Sequence, residues 1–240
     1  MHIQSLPWDS AFFEYAVSRL NVVNDVSEDV LRKELFVGED NNYDVCYIYV
    51  YHNKEAISSF LLSAGAILYD HKVTFRKALI PLEDNESDKS VTELKELTQE
   101  AIDIAVSSGV YSRFYLDPHF KSKQPLLYKQ WITNCFENDN GKVFGIIQNG
   151  ELAAIAGVSV FECVGHLELI AVNPKYRRRG FAKKLIQAAE RFYLDSGASA
   201  AEVVTQLDNN AACRTYQSCG YSMIEAVDVW HFWKNKTMQP

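Results

Sequence analysis

The sequence predicts an α/β protein: a small α/β domain over residues 1–84, then a larger α/β domain over 85–240. Three observations predict it. Runs of β-branched and aromatic residues alternate with segments whose apolar residues recur at helical spacing. A polar, acid-rich stretch at 81–90 interrupts that alternation and reads as a linker. A chain of 240 residues, at roughly 150 per domain, has room for one large domain or two small ones.

Taken in order, residues 45–51 (Val-Cys-Tyr-Ile-Tyr-Val-Tyr) form a strand-like run, and 54–64 carry a short helical pattern. Residues 66–69 and 73–79 read as two more strands. Beyond the linker, Ser90-Val91-Thr92-Glu93 has capping-box spacing: the serine accepts from an orphan backbone N–H and the glutamate reaches back. A helix is therefore expected to open at Ser90, with Val91, Leu94, Leu97, Ala101 and Ile104 along one face. A second helix is expected over 126–136. Strands follow over 143–147, 153–161 and 166–172, the first two joined by the turn Gln148-Asn149-Gly150. A helix over 181–195 aligns Phe181, Leu185, Ala189 and Phe192 and stops at Gly197. Residues 202–205 read as a strand, 210–218 as a helix and 221–233 as a strand.

Composition bounds the function. The net charge of −7 argues against a dedicated nucleic-acid binder, which needs a broad basic face. Five cysteines, an odd count without a C-x-x-C pair, fit scattered thiols in a reducing cytosol better than a disulfide frame or a metal site. The start Met1-His2-Ile3-Gln4-Ser5 lacks the basic and apolar regions of a signal peptide, and there is no 18-residue apolar run. A cytoplasmic protein without a membrane partner is the expectation.

The strongest chemical signal is Leu169-Ile170-Ala171-Val172-Asn173-Pro174-Lys175-Tyr176-Arg177-Arg178-Arg179-Gly180-Phe181-Ala182. A strand runs through a proline turn and a basic loop into a helix whose start is glycine and small residues. Free N–H groups and partial positive charge at a helix start suit phosphate oxygens. Gly180 allows a phosphate to approach the backbone, and Ala182 keeps the next approach clear. Between Lys175 and Arg191 stand seven basic residues (Lys175, Arg177, Arg178, Arg179, Lys183, Lys184, Arg191) against Glu190 alone. A solvated helix face explains Lys183 and Lys184 but not the tight arginine–glycine turn. A pyrophosphate ligand is the better account, although no Gly-Lys-Ser/Thr and no Gly-x-Gly-x-x-Gly is present.

Arg177, Gly180 and Ala182 occupy the three defined places of the Q/R-x-x-G-x-G/A signature, so this region resembles the GNAT acyltransferase superfamily. The resemblance implies the GNAT fold, a mixed, mainly antiparallel sheet flanked by helices, for the larger domain and an acyl-coenzyme A co-substrate. Arg177, Arg178, Arg179, Gly180, Phe181, Ala182 and Lys183 would hold its pyrophosphate, and Ile170, Ala171 and Val172 would pair by backbone with its pantetheine arm. A second match follows. Asn209 precedes Tyr216 by seven residues, and Gly220 comes four later, the superfamily's spacing on the next strand-to-helix turn. Tyr216 then supplies the proton for the leaving thiolate, a thiol of pKa about 8.5 against about 10 for a phenol. A core aromatic on an amphipathic helix is the structural alternative for any single tyrosine.

The acceptor base is less defined. The strand position where relatives often carry a glutamate is Val204, and Glu202 lies two residues away on the same face. His166, four residues before Ile170, stands at another base position of the superfamily, and an imidazole of ordinary pKa near 6.5 suits the task. A solvent-exposed strand-end histidine is the plain reading. His119 beside Asp117 is a rival. Several patches look like one branch, the bacterial dTDP-4-amino-4,6-dideoxygalactose N-acetyltransferases, which acylate nucleotide-linked amino sugars for surface polysaccharides: residues 6–13 (Leu-Pro-Trp-Asp-Ser-Ala-Phe-Phe), Ser112-Arg113-Phe114, Tyr128-x-x-Trp131-Ile132, and Val204-Thr205-Gln206. That branch implies a small N-terminal domain, commonly a homodimer, and direct attack by the sugar amine. Arg113, Phe114 and His119 are the acceptor-binding candidates. An ion pair for Arg113 and core packing for Trp8, Phe12 and Phe13 are the structural alternatives. The full Arg177-Arg178-Arg179 loop and the Asn173-Pro174 turn depart from the branch and leave room for another amino position or a longer acyl group such as 3-hydroxybutyryl. A protein N-acetyltransferase and a non-catalytic acyl-CoA sensor stand as alternatives.

Overall fold

The computed structural model describes residues 2–24, 26–37, 42–51, 54–80 and 88–234. In chain order the elements are β1 (Gln4–Ser5), α1 (Pro7–Phe13), β2 (Val17–Val22), α2 (Glu28–Phe36), β3 (Val45–Val50), α3 (Lys54–Ser63), β4 (Ile67–Ala78), β5 (Val91–Glu93), α4 (Gln99–Ser107), α5 (Arg113–Leu116) and α6 (Gln124–Glu137). They continue with β6 (Gly141–Gln148), β7 (Glu151–Phe161), β8 (Val164–Val172), α7 (Phe181–Asp195), β9 (Ala200–Gln206), α8 (Asn210–Ser218) and β10 (Ser222–Trp233). No helix among the described residues is long and apolar enough to cross a membrane.

The chain divides into two units: Met1–Lys72 with Ala226–Pro240, and Val73–Glu225. The division falls at 72/73 and 225/226. The reason is topological. The end of β10 pairs antiparallel with β3, Val45 opposite Trp233 through Val50 opposite Asp228, so the last strand belongs with the first unit. Of the expected linker, 81–87 lie outside the described residues. Its end is a turn in which Asp88 Oδ1 accepts from the Ser90 N–H at 2.9 Å and from the Ser90 hydroxyl at 2.6 Å.

In the first unit β2 runs parallel to β3. Alternate residues of the strands (Leu20, Val22, Cys46, Ile48, Val50, Trp230, Phe232) form an apolar face covered by Leu31 and Leu35 of α2 and Ile57, Phe60 and Leu61 of α3. α2 starts because Ser27 accepts from the Val30 N–H at 3.4 Å and two acids follow in the first turn. β4 is one strand of 12 residues, not two. Asp70-His71-Lys72 reads as a break, but the strand carries its polar residues: His71 Nδ1 lies 2.9 Å from Asp228 Oδ1.

The second unit has strand order β4-β9-β8-β7-β6-β5, with the β5–β6, β6–β7 and β7–β8 pairs antiparallel and the β8–β9 pair parallel. The β6–β7 hairpin turns at Asn149 (φ 55°) and Gly150 (φ 81°), the left-handed pair that a two-residue hairpin favours. The capping-box expectation fails. Val91–Glu93 is the edge strand β5, with Val91 opposite Ile146 and Glu93 opposite Phe144. Lys142 Nζ sits 2.6 Å from the Glu93 carboxylate. The helix opens later, at Gln99, where the Thr98 side chain accepts from the Ala101 N–H at 3.3 Å. Sheet pairing and an ion pair outbid the local motif.

Helices cover both faces of this sheet. Leu185, Ile186, Ala189 and Tyr193 of α7 pack on Val73, Phe75, Leu167 and Val203. Ala101, Ile104 and Ala105 of α4 and Tyr128, Ile132 and Cys135 of α6 pack on Ile155, Leu169 and Ala171. Leu167 and Leu169 are two apart yet bury on opposite sides. Between them the register of β7 and β8 slips (Gly157 opposite Leu169, Val158 opposite Leu167), leaving Glu168 as an extra residue that flips the remainder of β8.

The tie between β4 and α7 is testable. Both Glu190 oxygens lie 2.8 Å from Lys77 Nζ, and the carboxylate is buried. Lys77→Met is expected to destabilise by roughly 3 kcal/mol in urea unfolding, because it strands a buried charge; Lys77→Met with Glu190→Met should recover most of that. Unchanged stability in the single variant would show that the pair holds nothing.

Candidate active site

Two strand-to-helix turns of the second unit build the site. β8 and β9 lie side by side only through four paired positions, from Val164 opposite Ala200 to Leu167 opposite Val203. Beyond Leu167 no further pair joins them among the described residues, and the Glu168 bulge lies at that point. The edge of Ile170, Ala171 and Val172 that faces β9 is thus left for a ligand that can pair with backbone. This is the segment that sequence analysis nominates.

Past β8, Asn173 Oδ1 accepts from the Lys175 N–H at 3.0 Å and closes a short 3₁₀ turn, Pro174–Tyr176. The turn is moored to the β6–β7 hairpin. The Tyr176 hydroxyl donates to Glu151 Oε2 at 2.7 Å, and Lys175 Nζ reaches the same carboxylate at 2.8 Å. Lys175, then Tyr176, hold the Glu151 carboxyl below the usual range. Arg177 Nε donates to the Val172 carbonyl at 3.3 Å, and the Arg179 guanidinium lies 5.2 Å above the Tyr176 ring.

Arg178 and Gly180 are left-handed (φ 62° and 80°), whereas Arg179 between them is not. Alternating hand turns successive N–H groups to one concave side, a nest that binds anions. Gly180 is also the N-cap of α7, so no side chain caps the N–H groups there. A Cβ built on Gly180 meets nothing within 4 Å, so the space beside it is open. An uncapped helix start, a nest and open space fit a pyrophosphate. The basic excess read from the sequence is partly offset in space, since Lys175 pairs with Glu151 and Lys184 Nζ lies 3.0 Å from Asp88. Lys183 lines a groove of about 820 Å³ along α7, with Lys77, Lys142, Arg191 and Cys219. The Phe181 side chain goes into the core, leaving only its backbone for a ligand.

At the second turn Asn209 caps α8, its Oδ1 accepting from the Ala212 N–H at 3.3 Å. Tyr216 lies two turns along, buried, its ring centroid 5.8 Å from Phe75 and 6.3 Å from Tyr221. Burial raises its phenol pKa above the ordinary 10, with Cys213 and Cys219 adding to the shift. Tyr216 is at once a core aromatic and a phenol that keeps its proton.

His166 faces away from α7. Its neighbours Gly165 and Leu167 are buried, Leu167 in the core under α7, and His166 stands opposite Ser159 on β7 and Glu202 on β9. Its side chain makes no hydrogen bond with any described residue. Glu202 Oε1 accepts from Arg76 Nη1 of β4 at 2.6 Å. Sequence analysis noted Glu202 but missed Arg76, because nothing in the chain order announces that β4 lies beside β9. Among the acceptor candidates, Phe114 is buried and packs edge-on against Phe120 and Trp131, with the Arg113 guanidinium 4.3 Å from its ring. Its ring belongs to the packing rather than to an open surface. His119 Nδ1 lies 2.9 Å from Oδ1 of the fully buried Asp117, which also accepts the His119 backbone N–H. No cluster of three metal-ligating side chains occurs among the described residues.

Residues 109–221 match the acetyltransferase (GNAT) family, and that segment carries both turns just described. The fold recurs in solved structures. A GNAT-family protein from Novosphingobium aromaticivorans superimposes with a TM-score of 0.53 at 17% identity over 80% of this chain and 75% of its own. An acetyltransferase of the GNAT family from Colwellia psychrerythraea gives 0.50 at 16% identity, over 78% and 65%. A conserved protein of unknown function from Staphylococcus epidermidis gives 0.61 at 11% identity, covering 94% of this chain and 88% of its own. The matched segment lies within the second unit, which has the GNAT fold.

Gly180→Ala tests the nest. The left-handed backbone costs an alanine about 1–2 kcal/mol, and no protein atom obstructs the new methyl. The variant should fold with a slightly lower Tm and lose at least tenfold in acetyl-CoA affinity by calorimetry. Undiminished affinity would place the phosphates elsewhere.

Proposed function

We propose that the protein transfers an acyl group, acetyl or 3-hydroxybutyryl, from acyl-CoA to the amine of a dTDP-linked amino-6-deoxysugar. The observation that carries the reading is the uncapped, nest-like start of α7 beside two strands that part, with a buried phenol on the helix that follows the second strand. When bound, acyl-CoA supplies the activated carbonyl. The nest and the α7 start hold its diphosphate, and the free edge of Ile170–Val172 aligns the pantetheine arm. A backbone N–H of that edge faces the thioester oxygen and stabilises the charge that develops on it.

The amine nitrogen bonds to the thioester carbon and the C–S bond breaks. Tyr216 gives its proton to the departing sulfur, matching the raised phenol pKa that keeps it protonated. The surplus amine proton leaves toward His166 and solvent, which returns a proton to the phenolate. The sugar substrate is supported by the N-terminal and Ser112-Arg113-Phe114 patches of sequence that resemble that branch.

Thiol release from acetyl-CoA with dTDP-4-amino-4,6-dideoxygalactose, beside a lysine peptide, tests the acceptor. Turnover of the peptide alone would replace the sugar reading, and no release with any amine would leave an acyl-CoA sensor. Tyr216→Phe should lower kcat roughly 10²–10⁴-fold with acetyl-CoA affinity kept; an unaltered kcat would remove Tyr216 as the acid. Because burial raises the Tyr216 pKa, the acid form persists as pH rises to about 10, the ordinary phenol value. kcat should therefore show no alkaline loss assignable to Tyr216 below that pH. A lower-pH limb that disappears in Tyr216→Phe would contradict the burial argument.

A further inference from the structure

We propose that Arg76, Glu202 and His166 form the acceptor-amine subsite, in which Glu202 holds the ammonium and Arg76 an anionic or hydroxyl oxygen beside it. The inference rests on the acyl-transfer reading and adds the residues and the acceptor chemistry.

The three side chains come from three neighbouring strands. β4, β9 and β8 are consecutive in the sheet, and His166 is directly opposite Glu202. Their alternate neighbours Val73, Phe75, Ala201, Val203 and Leu167 are buried in the core under α7. The pleat therefore turns Arg76, Glu202 and His166 to the opposite face of the sheet. His166 and Glu202 stand one pair before Leu167 opposite Val203, the last pair before β8 and β9 separate. A substrate reaching the thioester through that opening from this face passes them.

The bonding capacity is unspent. Glu202 Oε1 takes the Arg76 Nη1 bond at 2.6 Å, while Oε2 has no partner among the described residues. Arg76 is bonded through Nη1 alone, which leaves its other N–H donors for an acceptor oxygen. The Glu202 side chain is 21% exposed and that of Arg76 44%, so both are reachable. A carboxylate fixed by a guanidinium on one oxygen and open on the other suits an ammonium. The guanidinium next to it repels a second cation and attracts a phosphate or hydroxyl. The pair therefore selects an amine with an oxygen-rich, anionic neighbourhood over a lysine amid further basic residues. The His166 side chain has no hydrogen bond to a described residue and is placed to accept the proton the ammonium must lose.

The test is steady-state kinetics with acetyl-CoA and two acceptors, dTDP-4-amino-4,6-dideoxygalactose and a lysine peptide, on wild type, Glu202→Gln, Arg76→Gln and the conservative Arg76→Lys. Glu202→Gln should raise the acceptor KM about tenfold or more, the scale of a lost charged hydrogen bond, with the acetyl-CoA KM within twofold. Arg76→Gln should raise KM for the nucleotide sugar while improving the peptide relative to it, and Arg76→Lys should restore part of the loss. Turnover by wild type with unchanged acceptor KM in both Gln variants would overturn the subsite alone. A larger effect on the acetyl-CoA KM would also overturn it, since that marks a structural role. No thiol release by wild type with either acceptor would overturn the transfer reading, and the subsite with it.

Discussion

The second unit depends on one interruption of pairing: β8 and β9 share four positions and then part. Parallel strands pair continuously unless something opposes it, and here the extra residue Glu168 bends β8 just beyond the last pair. The same residue flips β8, so that Leu169 and Ala171 anchor under α4 and α6 while Leu167 anchors under α7. Core burial on both sides makes the opening a rigid feature. Closing it would require moving either set of side chains out of its core.

The proposed site is layered onto that opening from the two sides of the sheet. On one side α7 and α8 bring an uncapped helix start, left-handed turns and a buried phenol. On the other lie Arg76, Glu202 and His166. This division is the one the proposed transfer reaction requires, because donor and acceptor need opposite environments. A diphosphate wants backbone donors and a helix dipole, whereas an amine wants a carboxylate and a place for its proton. β4 takes part in both, with Lys77 tied to Glu190 of α7 and, one residue earlier, Arg76 tied to Glu202 of β9. Alternation along a single strand thus braces one layer and furnishes the other.

Much of this was legible from residues alone. The helix at Phe181–Asp195 and the helix at Asn210–Ser218 match the predicted bounds, because strong apolar periodicity and clear stops leave little competition. The arginine–glycine turn was visible for a related reason: its residue types serve backbone geometry, and backbone geometry is local. What failed was local chemistry that tertiary pairing overrode. Ser90-Val91-Thr92-Glu93 has the letters of a helix start, yet Glu93 finds Lys142 and Val91 finds a strand partner. Polar residues at 70–72 resemble a break, yet strand β4 runs through them. The short helices and strands before residue 45 carry too few periods to be read without their neighbours.

By itself, then, the sequence determined the elements that rest on contacts close along the chain: the two strand-to-helix turns and the helices that follow them. Only the tertiary structure decided what depends on strands distant in sequence. It set where the units divide, which strand lies beside β9, that Glu202 meets Arg76 from 126 positions away in the sequence, and that Asp117 is wholly buried behind His119. The physical reason is range. Caps and turns are satisfied by hydrogen bonds within a few residues, so the local letters suffice. Ion pairs and sheet order come from burying apolar faces that many distant residues share, and no short window of sequence contains that information.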